Sequence, residues 1–182
     1  MGPRVRGDNI LDCGGVGMIS RLRPGIIAAL AVIALDQASK LWLLRVYDIV
    51  HNGAVRVTPF FDLVLAWNTG ISYGWFRDEG AAGQAILLAV KAVAVVVLAI
   101  WMARSHSRLA TFALGLIIGG AIGNAIDRLA YGAVVDFALF HVQIGGKPFN
   151  WYVFNLADVA IVAGVAGLLY DSFIGVPAAK AP

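Results

Sequence analysis

Four long apolar runs, separated by one very short and two long polar stretches, dominate the chain. They fall at about residues 24–44, 83–102, 109–129 and 153–173. Each holds about 20 residues, enough for a helix rising ~1.5 Å per residue to cross a ~30 Å hydrocarbon core. The pattern predicts an all-α polytopic membrane protein with four transmembrane helices. Between the first two runs, Val55 to Trp67 (VRVTPFFDLVLAW) has strand composition, with Val57, Leu63, Leu65 and Trp67 spaced for one face. Trp75, Phe76, Phe149, Trp151 and Tyr152 have the character of an interfacial aromatic belt. A small β-sheet and a short amphipathic helix are therefore expected on the outer membrane face. Gly115, Gly119 and Gly123 form a small-residue stripe on the third run, a surface for close helix packing.

Segmentation follows from the same pattern. Residues 1–20 read as a polar N-terminal tail, with Met18 as an alternative start, 21–175 as one four-helix membrane unit, and 176–182 as a C-terminal tail. The first run is too long, and too polar in its second half, for a cleaved signal peptide, and no A-x-A-like site follows it. Arg21, Arg23, Arg104, Arg108 and Lys180 flank the ends that the positive-inside rule assigns to the cytoplasm. Both termini are then cytoplasmic, and the loops 45–82 and 130–152 face outward.

Composition agrees with a membrane chain and narrows its chemistry. Of 182 residues 60% are hydrophobic and 14% charged, against about 25% charged in a soluble domain. The net charge of +3 comes with no basic run, which excludes a nucleic-acid partner. One cysteine, Cys13, rules out an intramolecular disulfide and a cysteine-rich metal site. His51, His106 and His141 have no metal-ligand spacing, so no metal is assigned.

Acids inside the apolar runs carry the chemistry. A charged side chain near a bilayer centre costs at least about 2.5–3.5 kcal/mol, so its presence marks function. Asp36 and Lys40 lie four residues apart on the first helix, an order that favours an ion pair. Asn124, Asp127 and Arg128 end the third helix, Asn155 and Asp158 begin the fourth, and Asn68 and Asp136 lie in the two long loops. Antiparallel helices thus bring these polar groups to one depth beneath the outer surface. Two carboxylates at one desolvated site hold a single proton, the arrangement of an aspartic peptidase, which needs no metal. Asp36 is expected to pair with Lys40 and Asp127 with neighbouring Arg128. Asp136 and Asp158 have no base at helical spacing and form the candidate dyad. The GISYG stretch, with Ser72, matches G-x-S-x-G but lacks the α/β sheet that motif requires. Lys91, inside the second run, is unexplained unless it snorkels or the boundary lies elsewhere.

The blocks DQASK (36–40), NTGISYG (68–74), GGAIGNAIDRL (119–129), VVDF (134–137) and FNLADVAI (154–161) occur in this order. Together they resemble the bacterial lipoprotein signal peptidases, signal peptidase II. The resemblance implies an aspartic endopeptidase of the bacterial cytoplasmic membrane with its site near the outer face. It would cut diacylglyceryl-modified prolipoproteins on the N-terminal side of the lipidated cysteine. Asp136 and Asp158 match the catalytic acids. Asn68, Gly70, Asn124, Arg128, Asn155 and Ala157 match substrate-binding or supporting positions, and Asp36 and Lys40 a structural ion pair. No cofactor is implied; the partners are prolipoproteins and membrane lipid, and a monomer is expected. Two rival classes are a small proton-coupled transporter, whose acids would spread across the bilayer, and a non-enzymatic assembly factor, which would tolerate Asp-to-Asn changes.

Overall fold

A computed structural model of the protein describes residues 13–70 and 81–174. Its elements are helix α1 (Cys13–Leu41), a π-helical turn (Trp42–Val46), the one-turn helix α2 (Ile49–Asn52), strands β1 (Val55–Thr58) and β2 (Phe61–Asn68), helices α3 (Ala81–Arg104) and α4 (Arg108–Tyr131), strands β3 (Val134–Ile144) and β4 (Lys147–Asn150), and helix α5 (Leu156–Ile174). Among the described residues, four stretches are long and apolar enough to cross a membrane: Ser20–Val46, Ala85–Arg104, Arg108–Tyr131 and Leu156–Phe173. They coincide with the four expected runs. The first begins earlier than the sequence suggests, because the helix continues N-terminal to Pro24. A proline lacks an N–H and disturbs a helix interior, but it does not forbid the turn before it.

α4 is the central helix, with 56% of its spanning window buried against 6–22% in the other three. Glycine makes this possible. A Cβ on Gly119 would sit 2.7 Å from the Ala29 carbonyl oxygen of α1, and one on Gly115 would collide with the backbone of Gly25. On the opposite flank, a Cβ on Gly120 would meet the Ala157 carbonyl of α5 at 2.5 Å. The expected stripe is thus the α1–α4 contact, and Gly120 adds a second approach. Ser107 starts α4 by accepting the Ala110 N–H at 3.2 Å, and Gly132 ends it in the left-handed region with φ 72°.

The sheet is antiparallel in the order β1-β2-β3-β4 and lies at the end of the bundle where α4 stops and α5 starts. The segment 55–67 is a hairpin, not one strand. A one-residue bulge in β2 between Leu63 and Ala66 breaks its alternation. Leu63 and Leu65 pack against the cluster of Leu43, Ile49, Phe137 and Ala138, whereas Val57 of β1 and Trp67, beyond the bulge, are exposed. β3 is the larger correction: Asp136 lies in an eleven-residue strand, not in a loop. Val134 to Phe137 is buried throughout, so the run lacks the polar alternation that marks a half-buried strand. Phe149, Trp151 and Tyr152 are exposed at the sheet end. Trp75, Phe76, Ser72, Lys180 and both predicted tails lie outside the described residues, apart from the start of α1.

Candidate active site

The start of α5 is built from a reciprocal cap. Asn155 accepts the Asp158 N–H through its side-chain oxygen at 3.0 Å, while Asp158 Oδ2 accepts the Asn155 N–H at 3.2 Å. This is the N-cap and third-residue exchange of a capping box, with Asp replacing the usual Glu or Gln. Asn124 of α4 donates to the other oxygen, Asp158 Oδ1, at 2.9 Å. Asp158 is therefore held at both oxygens in the first turn of a helix, where the backbone presents positive partial charge.

Asp136 reaches the same place from β3. Its Oδ1 accepts from Asn155 Nδ2 at 2.6 Å and its Oδ2 from Asn68 Nδ2 at 3.1 Å. Ala138, two residues on, forms a β-bridge with Phe154, and Phe140 stacks on the Phe154 ring at 5.6 Å. The strand carrying Asp136 is thereby tied to the residue that precedes Asn155. Asn155 is the hinge of the arrangement, since it bonds both carboxylates. Burial pushes the Asp136 carboxyl up to about 6 from 3.8; Asp158 adds to the rise, while the Asn68 and Asn155 hydrogen bonds and the Lys40 charge oppose it.

Both acids line one cavity of ≈ 400 Å³ with Asn68, Tyr152, Val153, Phe154, Ile161 and Val162. A second cavity of ≈ 390 Å³ shares Phe154, Asp158 and Val162 and is otherwise walled by Phe140, Trp151 and Val159. One side of Asp158 thus faces polar groups and the other an apolar trough, whose Val162 is 69% exposed on a spanning helix.

Behind the dyad lies a buried ion triad. Lys40 Nζ is 2.7 Å from Asp36 Oδ2 and 2.7 Å from Asp127 Oδ2, with side chains no more than 2% exposed. The expected Asp36–Lys40 pair is present. The expected Asp127–Arg128 pair is not, because consecutive helix residues point in different directions. Asp127 turns to Lys40 and to Gln37, whose amide donates at 2.9 Å. Arg128 Nη2 instead donates to the Gly70 carbonyl at 3.0 Å, and the Gly70 N–H donates to Asn68 Oδ1 at 3.2 Å. Arg128 and Gly70 therefore support the turn that holds Asn68 on Asp136. Lys40 also donates to Asn124 Oδ1 at 3.4 Å, which connects the triad to Asp158.

Every expected site residue falls in this region, though not all face a cavity. Ala157 is fully buried between α4 and α5 and is a support, not a wall. Lys91, half-buried on α3, is near enough to feel the charges of Arg128, Asp158, Lys40 and Asp127. Sequence reasoning passed over Gln37 and Phe154. Gln37 had a signal, a polar residue beside Asp36 in an apolar run; Phe154 had none, since its role is a backbone bridge. Asp171 was also missed; it lies at the opposite end of the bundle, where Ser107 Oγ donates to it at 2.5 Å.

The chain matches the family described as Signal peptidase (SPase) II over residues 28–174. It is 76% identical over 161 residues to the lipoprotein signal peptidase of Nitrobacter hamburgensis, an alignment covering 88% of this chain and 98% of that one. The lipoprotein signal peptidase of Rhodopseudomonas palustris strain CGA009 is 70% identical over 161 residues, with the same coverage. That of Methylorubrum extorquens is 55% identical over 164 residues, covering 90% and 92%. The fold matches a bacterial membrane enzyme solved by the in meso method at 2.3 Å resolution, with TM-score 0.66, 22% identity and coverage of 87% of this chain and 94% of that one. On the length of the profile match and the identity to these relatives, the chain belongs to the signal peptidase II family.

Proposed function

We propose that the protein is a membrane aspartic endopeptidase that removes signal peptides from diacylglyceryl-modified prolipoproteins, with Asp136 and Asp158 as its catalytic acids. The observation that carries this reading is a single residue, Asn155, whose side-chain amide donates to Asp136 and whose backbone N–H donates to Asp158, the two carboxylates lining one cavity. In this division Asp158, which accepts the Asn155 N–H and the Asn124 amide at the start of α5, acts as the base. Asp136, with its raised proton affinity, holds the shared proton.

Chemistry follows from that division. Asp158 takes a proton from water as the water oxygen attacks the scissile carbonyl carbon. Asp136 gives its proton to the carbonyl oxygen, so the tetrahedral intermediate forms without a free oxyanion. Collapse breaks the C–N bond, with a proton passing from the dyad to the departing amine of the lipid-modified cysteine. The signal peptide leaves with a new carboxylate. Asn68, Asn124 and Asn155 fix the two carboxyls, while Arg128 and Gly70 hold Asn68 in place.

Arg21, Arg23, Arg104 and Arg108 lie at the bundle end away from the sheet, which supports cytoplasmic termini and a site near the outer face of the inner membrane. The acyl chains of the modified cysteine fit the apolar trough beside Asp158, open toward lipid at Val162. Cleavage by a single copy of the chain is part of the same reading. The test is purified protein in detergent given one precursor in lipid-modified and unmodified forms. The modified form should be cut far faster, because its anchor contributes about 0.8 kcal/mol per buried methylene. Asp136→Asn and Asp158→Asn should each lower kcat by about 10²–10⁴. Equal rates on the two precursors, or retained activity in either variant, would remove the basis for the reading.

A further inference from the structure

The buried triad does more than neutralise itself. Its two carboxylates also accept two backbone N–H groups from different elements. Asp36 Oδ1 accepts the Ala157 N–H of α5 at 3.0 Å. Asp127 Oδ2 accepts the Val135 N–H of β3 at 3.1 Å. Ala157 is the residue immediately before Asp158, and Val135 is the residue immediately before Asp136. Lys40 joins the two carboxylates at 2.7 Å each, and Gln37 bridges them from the side at 2.9 Å and 3.3 Å.

We propose that Asp36, Lys40 and Asp127 form a positioning clamp that sets the spacing of the catalytic pair by pinning the backbone directly ahead of each acid. The inference rests on the assignment of Asp136 and Asp158 as the dyad. None of the three touches substrate; each acts through the main chain. Three independent features make the clamp stiff. All three side chains are excluded from solvent, so water does not compete for the two N–H groups. The carboxylates outnumber the ammonium two to one, which leaves negative charge for those donors to satisfy. Space is reserved as well: a Cβ on Gly123 would stand 2.8 Å from Asp36 Oδ2. The two pinned elements differ in kind. Asp36 acts as a second cap on α5, reaching from another helix to an N–H of the first turn that the Asn155 box leaves over. Asp127 closes the strand start that follows the α4 stop at Gly132.

A purely structural ion cluster and a clamp respond differently to mutation. Residue-resolved amide hydrogen exchange in lipid nanodiscs reads the two pinned N–H groups directly. Asp36→Ala should speed exchange at Ala157 at least tenfold and leave Val135 within about twofold; Asp127→Ala should do the reverse. Asp36→Asn and Asp127→Asn keep an acceptor oxygen and should restore protection at the pinned amide, although each loses the ion pair. Turnover on a lipid-modified precursor should follow the same order: alanine variants lose at least tenfold in kcat with KM within about twofold, and asparagine variants recover most of it. Gly123→Ala, which displaces the Asp36 carboxylate without deleting a charge, should behave like Asp36→Ala. Exchange rising at both amides together in every variant, or asparagine failing to protect more than alanine, would overturn the clamp. Should the wild-type chain cleave no precursor, the peptidase assignment falls while the exchange pattern still decides the contacts.

Discussion

Replacing Asp136 by Asn tests the proton-holding role without an activity assay. The folded protein raises the Asp136 carboxyl from 3.8 to about 6. The folded state therefore binds this proton more tightly than the unfolded chain. That contribution is fully present below pH 3.8 and is lost as pH rises through about 6. At 1.36 kcal/mol per pH unit, wild type should lose about 2.4 kcal/mol relative to Asp136→Asn between pH 4 and pH 7.5, part of the contribution being already lost at pH 4. Asn resembles the protonated acid in shape and does not titrate, so other ionisable groups largely cancel in the difference. For a chain of this length the change corresponds to about 5–10 °C in Tm, on the scale of soluble proteins. Thermal unfolding of both proteins in one detergent at five pH values measures it. The midpoint belongs to the dyad as a unit. A Tm difference that stays flat across this range, or grows in favour of wild type as pH rises, would refute the argument.

Lys40→Met strands two buried carboxylates and should cost about 3–5 kcal/mol, seen as lost yield and a lower Tm in detergent. Asp36→Asn with Lys40→Met should recover only part of this, because Asp127 stays unpaired, and adding Asp127→Asn should recover more. Gly120→Ala forces a Cβ to 2.5 Å from the Ala157 carbonyl oxygen and 2.7 Å from Ile161 Cγ1. It should destabilise by about 1–3 kcal/mol in thermal unfolding and, by moving the start of α5, lower kcat. Lys91→Met removes a cation near the dyad and should move the alkaline limb of kcat/KM to higher pH; an unchanged profile would deny it any electrostatic role.

What was legible in the sequence depended on whether the signal was local. Spanning helices announce themselves as unbroken apolar runs, and the Gly115, Gly119 and Gly123 stripe announces a contact without naming its partner. The Asp36–Lys40 pair was legible because helix geometry alone brings residues four apart together. Asp127 was misread for the complementary reason. Its nearest base in sequence is Arg128, but the base it meets in space comes from another helix. β3 was hidden because both its faces are covered near Asp136, which erases the alternation that marks a half-buried strand. The bulge in β2 defeated the face assignment of Trp67, since one extra residue reverses every side chain after it. No pattern in one chain signals a backbone bridge such as Ala138–Phe154, yet that bridge is part of what brings Asp136 to Asn155.

Charge balance explains why so many polar groups crowd one end of the bundle. Among the described residues, four carboxylates meet there: Asp36, Asp127, Asp136 and Asp158. Three cations accompany them: Lys40, Arg128 and Lys91. Fully ionised, the cluster carries one excess negative charge in a poorly solvated place. A single proton on the dyad removes it. Net charge is costly where water is scarce, so the cluster favours the state with one proton shared by the pair. That is the protonation state in which one acid can activate water while the other protonates the carbonyl. Among the described residues, Lys40 pairs with Asp36 and Asp127, and Arg128 donates to the Thr69 and Gly70 carbonyls while its charge also acts on Asp136. A cation paired directly with a catalytic acid would favour the doubly ionised pair and lower the population of the one-proton state. The supporting charges therefore offset the negative charge of the site while Lys40 stays bound to Asp36 and Asp127.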